Sequence, residues 1–436
     1  MRLIIFPFLI GACVRGNPQA ADPAFTDTGG KIEVPGCGYS VTTREGAEAP
    51  KLSSPIGLLG ADPTPRLVHL GFIGDPKTSI VAQWRTVDEE TAVSRIRFAV
   101  GDDLPAEQLT QEADGLDFRY KATGKDIYRQ HQAHLCGLTA GATYSYQVGS
   151  PGNFSPVYTF HTAPDIVANP DTETVFGVIG DARDGYDIWE QLVGLLRQRS
   201  PDLILFTGDA VTIGLVQNEW EEFFGRAEPL LARTPMVFAH GNHEVNAAPY
   251  YSQVALPGDQ ENFGFDYGHV HVTVANDTPA DISAIAGAYR TAMIDDFERS
   301  RSATWKVLMH HQPIWSSATA HGSSMFLQEH WMPVIDQYAI DLVLAGHDHD
   351  FEMSNPLRAT AVQATNATGT VYAVVGGAGA ELYGIDEDLF HSAYAESTYS
   401  ASTLRATKNL LELEAFRPDG SSIADTDPDA RFTKTK

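Results

Sequence analysis

The chain of 436 residues sets 30 Lys and Arg against 56 Asp and Glu, a formal net charge of −26, which argues against a nucleic-acid scaffold as partner. At 43% hydrophobic and 20% charged, with 38 Gly and 25 Pro, the composition is that of a loop-rich globular protein and excludes a disordered or collagenous one. The one long apolar run, Leu3 to Val14, is too short to span a bilayer, so no transmembrane segment is expected.

That run follows Met1-Arg2 and ends in Ile10-Gly11-Ala12-Cys13, small residues before a cysteine, which reads as an export signal over residues 1–22. The tetrapeptide resembles a bacterial lipobox, so plain secretion and a lipid anchor at Cys13 are both open. An exported protein is expected: periplasmic, secreted or a cell-surface lipoprotein. Residues 23–63 are rich in Gly, Pro, Ser, Thr and Ala without a sustained apolar period and read as a tether with loosely packed chain. Cys37 and Cys136 form an even pair that an oxidising compartment would let bridge, with two unpaired buried thiols as the alternative.

Over residues 64–165, short alternating or β-branched runs are separated by turn residues: Ser79 to Trp84, Arg95 to Val100, Thr143 to Val148 and Val157 to His161. They predict an all-β sandwich, and Leu138 to Tyr146 resembles the approach to a late strand in fibronectin type III modules. From residue 172 to 424 the pattern becomes α/β. Apolar strands are expected at Val175 to Ile179, Leu203 to Phe206, Met236 to Ala239, Trp305 to Met309 and Leu342 to Leu344. Helices are expected between them at Ile188 to Arg199, Asn218 to Arg226, Arg290 to Ser300 and Phe326 to Gln337. Residues 425–436 read as a frayed polar tail.

Each of the five strands runs into a polar motif: Gly180-Asp181-Ala182-Arg183, Gly208-Asp209, Gly241-Asn242-His243-Glu244, His310-His311 and Gly346-His347-Asp348-His349. Ligand sites of open α/β sheets lie at the carboxyl ends of strands, which would gather these groups in space. Carboxylates, a carboxamide and imidazoles without a thiolate suit Zn, Mn or Fe. Six donors exceed one closed tetrahedral site, so two neighbouring ions sharing a carboxylate is the economical reading, and such a pair suits phosphoester hydrolysis.

The ordered set resembles the calcineurin-like metallophosphoesterase superfamily, and more closely its purple acid phosphatase branch. The resemblance implies a four-layer α/β/β/α domain behind the fibronectin type III-like sandwich. It also implies two divalent or mixed-valence ions (Fe, Mn or Zn) and attack by a hydroxide bridging them, with a phosphoester as substrate and a monoester favoured over a diester. Carried over by position, Asp181 and His349 bind the first ion, Asp209 bridges, and Asn242, His310 and His347 bind the second. His243 and His321 contact the transition state or serve as acids. Of the adjacent histidines, His310 fits the spacing and His311 packs behind it.

Two positions depart from the family pattern. Thr212 stands where purple acid phosphatases have a metal-binding tyrosine, and Arg183 stands where other members have a histidine. The first ion is thus one ligand short, and Arg183 is placed instead to clamp a phosphate oxygen or to repel a cation. Tyr186, Trp189, Tyr250, Tyr251 and Trp315 are available to stack an aromatic leaving group. His269, His271, His330 and His391 are expected to pack or face solvent, and the glycine-rich Val371 to Glu381 to serve close packing. The alternatives are an exported phosphodiesterase or 5′-nucleotidase on the same core, or a surface binding protein with a vestigial metal site.

Overall fold

The computed structural model describes residues 31–42, 60–88, 91, 93–122, 127–386 and 389–436. The export signal with Cys13, and much of the expected tether, lie outside them. Among the described residues no helix is long and apolar enough to cross a membrane, which says nothing of a β-barrel.

The β-rich domain has two sheets. One runs Ala61–Gly71, Ser79–Asp88, Ile127–Cys136, Leu116–Lys121; the other joins Asn153–Phe154, Thr143–Ser150, Arg95–Val100 and Gln111–Asp114, with Tyr158–His161 beside Thr143–Ser150. Alternate residues of both sheets (Leu70, Ile80, Trp84, Ile96, Tyr146, Val148, Phe160) meet in one apolar core, the period-2 burial that the strand pattern predicts. Inside the stretch expected to be loose, Lys31–Glu33 and Ser40–Thr42 instead pair as a hairpin. A Cys37–Cys136 disulfide, with Cα atoms 5.2 Å apart, ties that hairpin to the sandwich.

The outer face of the first sheet docks on the second domain through buried polar contacts. His69 Nε2 and Gln83 Nε2 both reach the Gln253 carbonyl, Arg85 pairs with Glu221, and Tyr120 donates to Gln217 (2.8 Å). Glu228 accepts from the Leu67 backbone N–H and the Tyr158 hydroxyl. Each buried polar group on this seam that lost its partner would keep its desolvation cost, so the contacts fix one docking geometry.

The second domain stacks two sheets. The first has the order Met236–Phe238, Leu203–Phe206, Thr174–Ile179, Ala401–Ala406, Leu410–Phe416, Arg431–Thr435; its first three strands are parallel. The second has the order Phe263–Tyr267, Val270–Val274, Trp305–Met309, Leu342–Ala345, Val371–Val375, Phe351–Ser354, Ser392–Glu396, with four parallel strands from Val270–Val274 to Val371–Val375. Phe176, Val272, Val307, Met309 and Leu413 share the core between the sheets. Helices Tyr186–Gln198 and Gln217–Leu231 cover the first sheet, burying Trp189, Trp220 and Phe223. Helices Ala288–Arg299, Met325–His330 and Met332–Tyr338 cover the second around Leu308, Trp331 and Ile335. This is the expected α/β/β/α order.

Three local expectations change. The stretch expected to fray ends in a strand, Arg431–Thr435, paired along Leu410–Phe416 with Phe432 1% exposed; its alternating polar residues face outward and disguise the single inward ring. The helix expected at Phe326 to Gln337 is broken at Trp331, because Pro333 has no N–H for the preceding turn. The helix expected to stop at Arg226 continues to Leu231, carried by its buried Ala227, Leu230 and Leu231.

Candidate metal centre

Parallel strands of both sheets end on one side, and the loops leaving them are braced to each other. Asp181 N–H donates to the Gly208 carbonyl (2.9 Å), Gly346 N–H to His311 (2.9 Å), and Ala378 and Ala380 N–H to Gly180 and Asp181. The glycines permit this proximity: a Cβ on Gly241 would lie 2.2 Å from Asp209 Oδ1, and Gly208 has φ +104°, a region open to glycine. Asp181, Asp209 and His347 also adopt positive φ (63°, 58° and 68°), which costs on the order of 1 kcal/mol each.

The structure brings Asp181, Arg183, Asp209, Asn242, His243, His347 and His349 together, with His321 at the rim. Among the described residues, Asp209, His311 and His347 offer ligand atoms that all lie within 4.8 Å of one another. Of the two adjacent histidines it is therefore His311, not the expected His310, whose ring enters the cluster. Strand alternation decides this: Trp305, Val307 and Met309 face the core between the sheets, Leu308 faces the helices, and continuing the count turns 310 outward and 311 inward. His310 packs edge-on against Trp331 and its Nδ1 bonds Asp277 Oδ2 (2.9 Å), both residues fully buried.

His311 Nδ1 donates to the Thr207 carbonyl (2.8 Å), leaving Nε2 directed at Asn242 Oδ1 (3.0 Å) and Asp209 Oδ1 (3.3 Å). A ring nitrogen facing two oxygens needs a proton or a cation between them. Burial opposes protonation of His311, but the Asp209 carboxylate outweighs it and raises the imidazole well above its ordinary value. Burial likewise opposes the Asp209 carboxylate, and the His311 charge holds it below the ordinary range. A cation at this point would take the place of that proton, the usual exchange when imidazole and carboxylate become ligands, so the residues fit a divalent ion. Burial lifts Asp181 well above the carboxylate range and lowers His347 to about 2 and His349 to about 4.

Glu244 orders the approach. Fully buried, it accepts from the backbone N–H of Asp209 (3.0 Å), Ala210 (2.9 Å) and Gly241 (2.8 Å), and burial, then the neighbouring Asp209, lifts it to about 7. His243 Nδ1 bonds the Thr212 carbonyl (2.6 Å), leaving Nε2 3.8 Å from Asp209 Oδ2. The Thr212 hydroxyl donates to Asp184 (2.7 Å) and is turned from the cluster. His349 donates through Nδ1 to the Glu381 carbonyl (2.6 Å) and stacks on Tyr383 with ring centres 4.1 Å apart; His321 stacks on His347 at 4.2 Å.

Sequence reasoning left His311 out of the cluster and gave no role to Tyr383. Strand parity was a usable signal for the first. Nothing local marks Tyr383, which reaches the site through the Gly376-to-Ala380 turn. The aromatic residues proposed for stacking a leaving group are mostly core: Trp189 and Tyr250 are at most 1% exposed, and Tyr251 and Trp315 are also buried. Only Tyr186 is partly open.

Residues 174–351 match the calcineurin-like phosphoesterase family and residues 65–162 the purple acid phosphatase N-terminal domain. An uncharacterized Mycobacterium tuberculosis protein is 26% identical over 380 residues, which is 74% of this chain and 71% of that one. Phosphoenolpyruvate phosphatase of Allium cepa is 26% identical over 317 residues, 63% of each chain. In fold, a purple acid phosphatase from yellow lupin (Lupinus luteus) seeds superposes with a TM-score of 0.73 over 85% of this chain and 74% of that one, at 16% identity.

Proposed function

We propose, from the premise that the chain belongs to the calcineurin-like phosphoesterases and carries a purple acid phosphatase N-terminal domain, that it hydrolyses phosphate monoesters in a metal-dependent reaction. The observation that carries this reading is the meeting of His311 Nε2, Asn242 Oδ1 and Asp209 Oδ1 within 3.0 to 3.3 Å, with His347 beside them. A divalent ion held by these four residues supplies Lewis acidity to a phosphoryl oxygen. Nitrogen and oxygen donors without a thiolate suit Fe, Mn or Zn. The two-ion form expected from the sequence would add Asp181 and His349 as ligands of a second ion.

The chain's own residues supply the rest. His243, oriented by the Thr212 carbonyl, presents Nε2 to the space beside Asp209, where it meets a phosphoryl or leaving-group oxygen. His321, exposed and stacked on His347, is placed to give the departing alkoxide its proton. Arg183, its side chain 17% exposed, holds its guanidinium beside Asp209 and His349, where its N–H groups can donate to a phosphoryl oxygen. Three such groups around one phosphoryl suit the dianionic monoester better than a diester, which lacks one charge. Export is part of the proposal, supported by the Cys37–Cys136 bridge and the N-terminal apolar run.

The test is turnover of a nitrophenyl phosphate monoester and its matched diester with added Mn, Zn or Fe, beside an Asp209→Asn control. Metal-dependent turnover favouring the monoester and lost in the control is expected. A folded protein that turns over neither ester with any of these metals overturns the reading.

A further inference from the structure

We infer that the Arg183 guanidinium occupies the place of the first cation, so that the centre takes one divalent ion, on Asp209, Asn242, His311 and His347, and uses the arginine as its second positive charge. The inference rests on the metal-dependent reading above and departs from its two-ion form.

The donors assigned to a first ion are Asp181, Asp209 and His349, and the guanidinium lies against two of them. Arg183 Nη2 is 3.4 Å from His349 Nε2, and Nε is 3.8 Å from Asp209 Oδ2. Because His349 Nδ1 is committed to the Glu381 carbonyl, Nε2 carries the one lone pair the ring can offer a metal. That lone pair faces a guanidinium N–H. The third donor, Asp181, accepts the His347 N–H on both oxygens at 3.0 Å and keeps lone pairs to spare, so two of the three donors, not all, face the guanidinium. Thr212, at the position of the family's tyrosine, spends its hydroxyl on Asp184 and cannot make up the set.

Arg183 has donors only and no lone pair to give a metal. Its side chain is only 17% exposed, and its remaining ion pair is Asp184 at 3.6 Å. At a separation of about 4 Å, repulsion between a fixed guanidinium and an arriving divalent ion lowers affinity by several powers of ten even in a screened site. The His311, Asn242 and Asp209 meeting point shares only Asp209 with the guanidinium, at 3.8 Å and through the other carboxylate oxygen, Oδ2. One ion and one arginine still place two positive groups about the phosphoryl, and the part of the guanidinium that stays open, in a side chain 17% exposed, is left to bind an oxygen that a second ion would otherwise hold.

The experiment counts metal rather than turnover. Full-length protein is stripped with chelator, reloaded with Mn2+ and dialysed, and Mn per chain is measured by elemental analysis alongside its electron paramagnetic resonance spectrum. One ion per chain with an uncoupled spectrum is expected for the wild type, and two ions with an exchange-coupled spectrum for Arg183→His, which supplies the missing imidazole. Two retained ions in the wild type, or one in a folded Arg183→His, overturn the inference and leave the phosphatase reading standing. No retained ion in the wild type, as in Asp209→Asn, overturns both. If Arg183→His does not fold, Arg183→Ala decides: it should take up a second ion at millimolar Mn2+ where the wild type stays at one, and identical binding curves overturn the inference.

Discussion

Replacing His311 and His310 separately by Ala should divide metal binding from folding. His311 brings Nε2 within 3.0 Å of Asn242 Oδ1 and 3.3 Å of Asp209 Oδ1, so its removal takes a nitrogen donor from the ion. Loss of groups that merely orient a ligand costs roughly 10–100-fold in affinity, so His311→Ala should cost more than about 100-fold. His310 is different: its Nδ1 lies 2.9 Å from Asp277 Oδ2 and both side chains are fully buried. Its loss leaves Asp277 with the Gln312 N–H as its remaining partner at that oxygen, in a space the ring had filled. Breaking a buried pair of this kind costs about 3–5 kcal/mol, a large part of the ~5–15 kcal/mol that holds a domain folded. Competition with a chromophoric chelator for Zn2+ measures the first quantity and urea unfolding the second. Expected are His311→Ala with a weakened ion, and His310→Ala with a lower urea midpoint but an affinity within about threefold of wild type, well short of a lost ligand. If His310→Ala strips the ion as severely as His311→Ala and leaves the urea midpoint alone, the parity argument is wrong.

Other parts of the fold carry their own expectations. His271 lies between Asp266 (2.8 Å) and Asp296 (2.9 Å); burial pulls its imidazolium down, but the two carboxylates outweigh that and lift it to about 9. With the folded value above the unfolded one, this stability is complete below about pH 6.5 and is lost as pH rises through the folded value, on the order of 3 kcal/mol. Urea midpoints measured across that interval should fall in the wild type and flatten in His271→Gln; equal slopes would dismiss the assignment. Phe432→Ala should cost about 3 kcal/mol by opening a cavity under the last strand, whereas a frayed tail would cost nothing in thermal unfolding. The Cys37–Cys136 bridge closes a separation of 99 residues, and its removal by Cys37→Ser with Cys136→Ser should cost about 2–4 kcal/mol. Phosphatase kcat in that double variant should match the wild type, since the bridge lies in the β-rich domain; a loss of turnover at full folding would contradict that separation.

The parts of this molecule that were legible in its sequence are those written locally. An apolar run that stops at Gly-Asp, Gly-Asn-His or His-His states both a strand and its polar end, and the Leu203–Phe206 and Trp305–Met309 strands lie where the runs do. The alternation of such runs with helix-length segments marked the α/β domain in the same way. What escaped was set by geometry between distant segments. Two adjacent histidines look alike until the inward face of their strand is known, and that face is defined by the other sheet. Arg183 was visible as a departure, but whether it repels an ion or stands in for one depends on its distance to His349, 166 positions away. The last strand was misread because Arg431, Thr433 and Thr435 dominate its composition while one phenylalanine does the packing.

The residues proposed to hold the ion are divided between the two stacked sheets, Asp209 and Asn242 on loops of the first and His311 and His347 on loops of the second. Neither half can hold an ion by itself, and more than a hundred residues separate the outermost of these donors in the chain. On that proposal metallation would be a late event that follows the mating of the sheets. If the chain, exported as proposed, travels unfolded, it carries no preformed site and is blind to the metals it passes, so the ion it acquires would be chosen by the compartment in which it folds rather than by the one in which it is made.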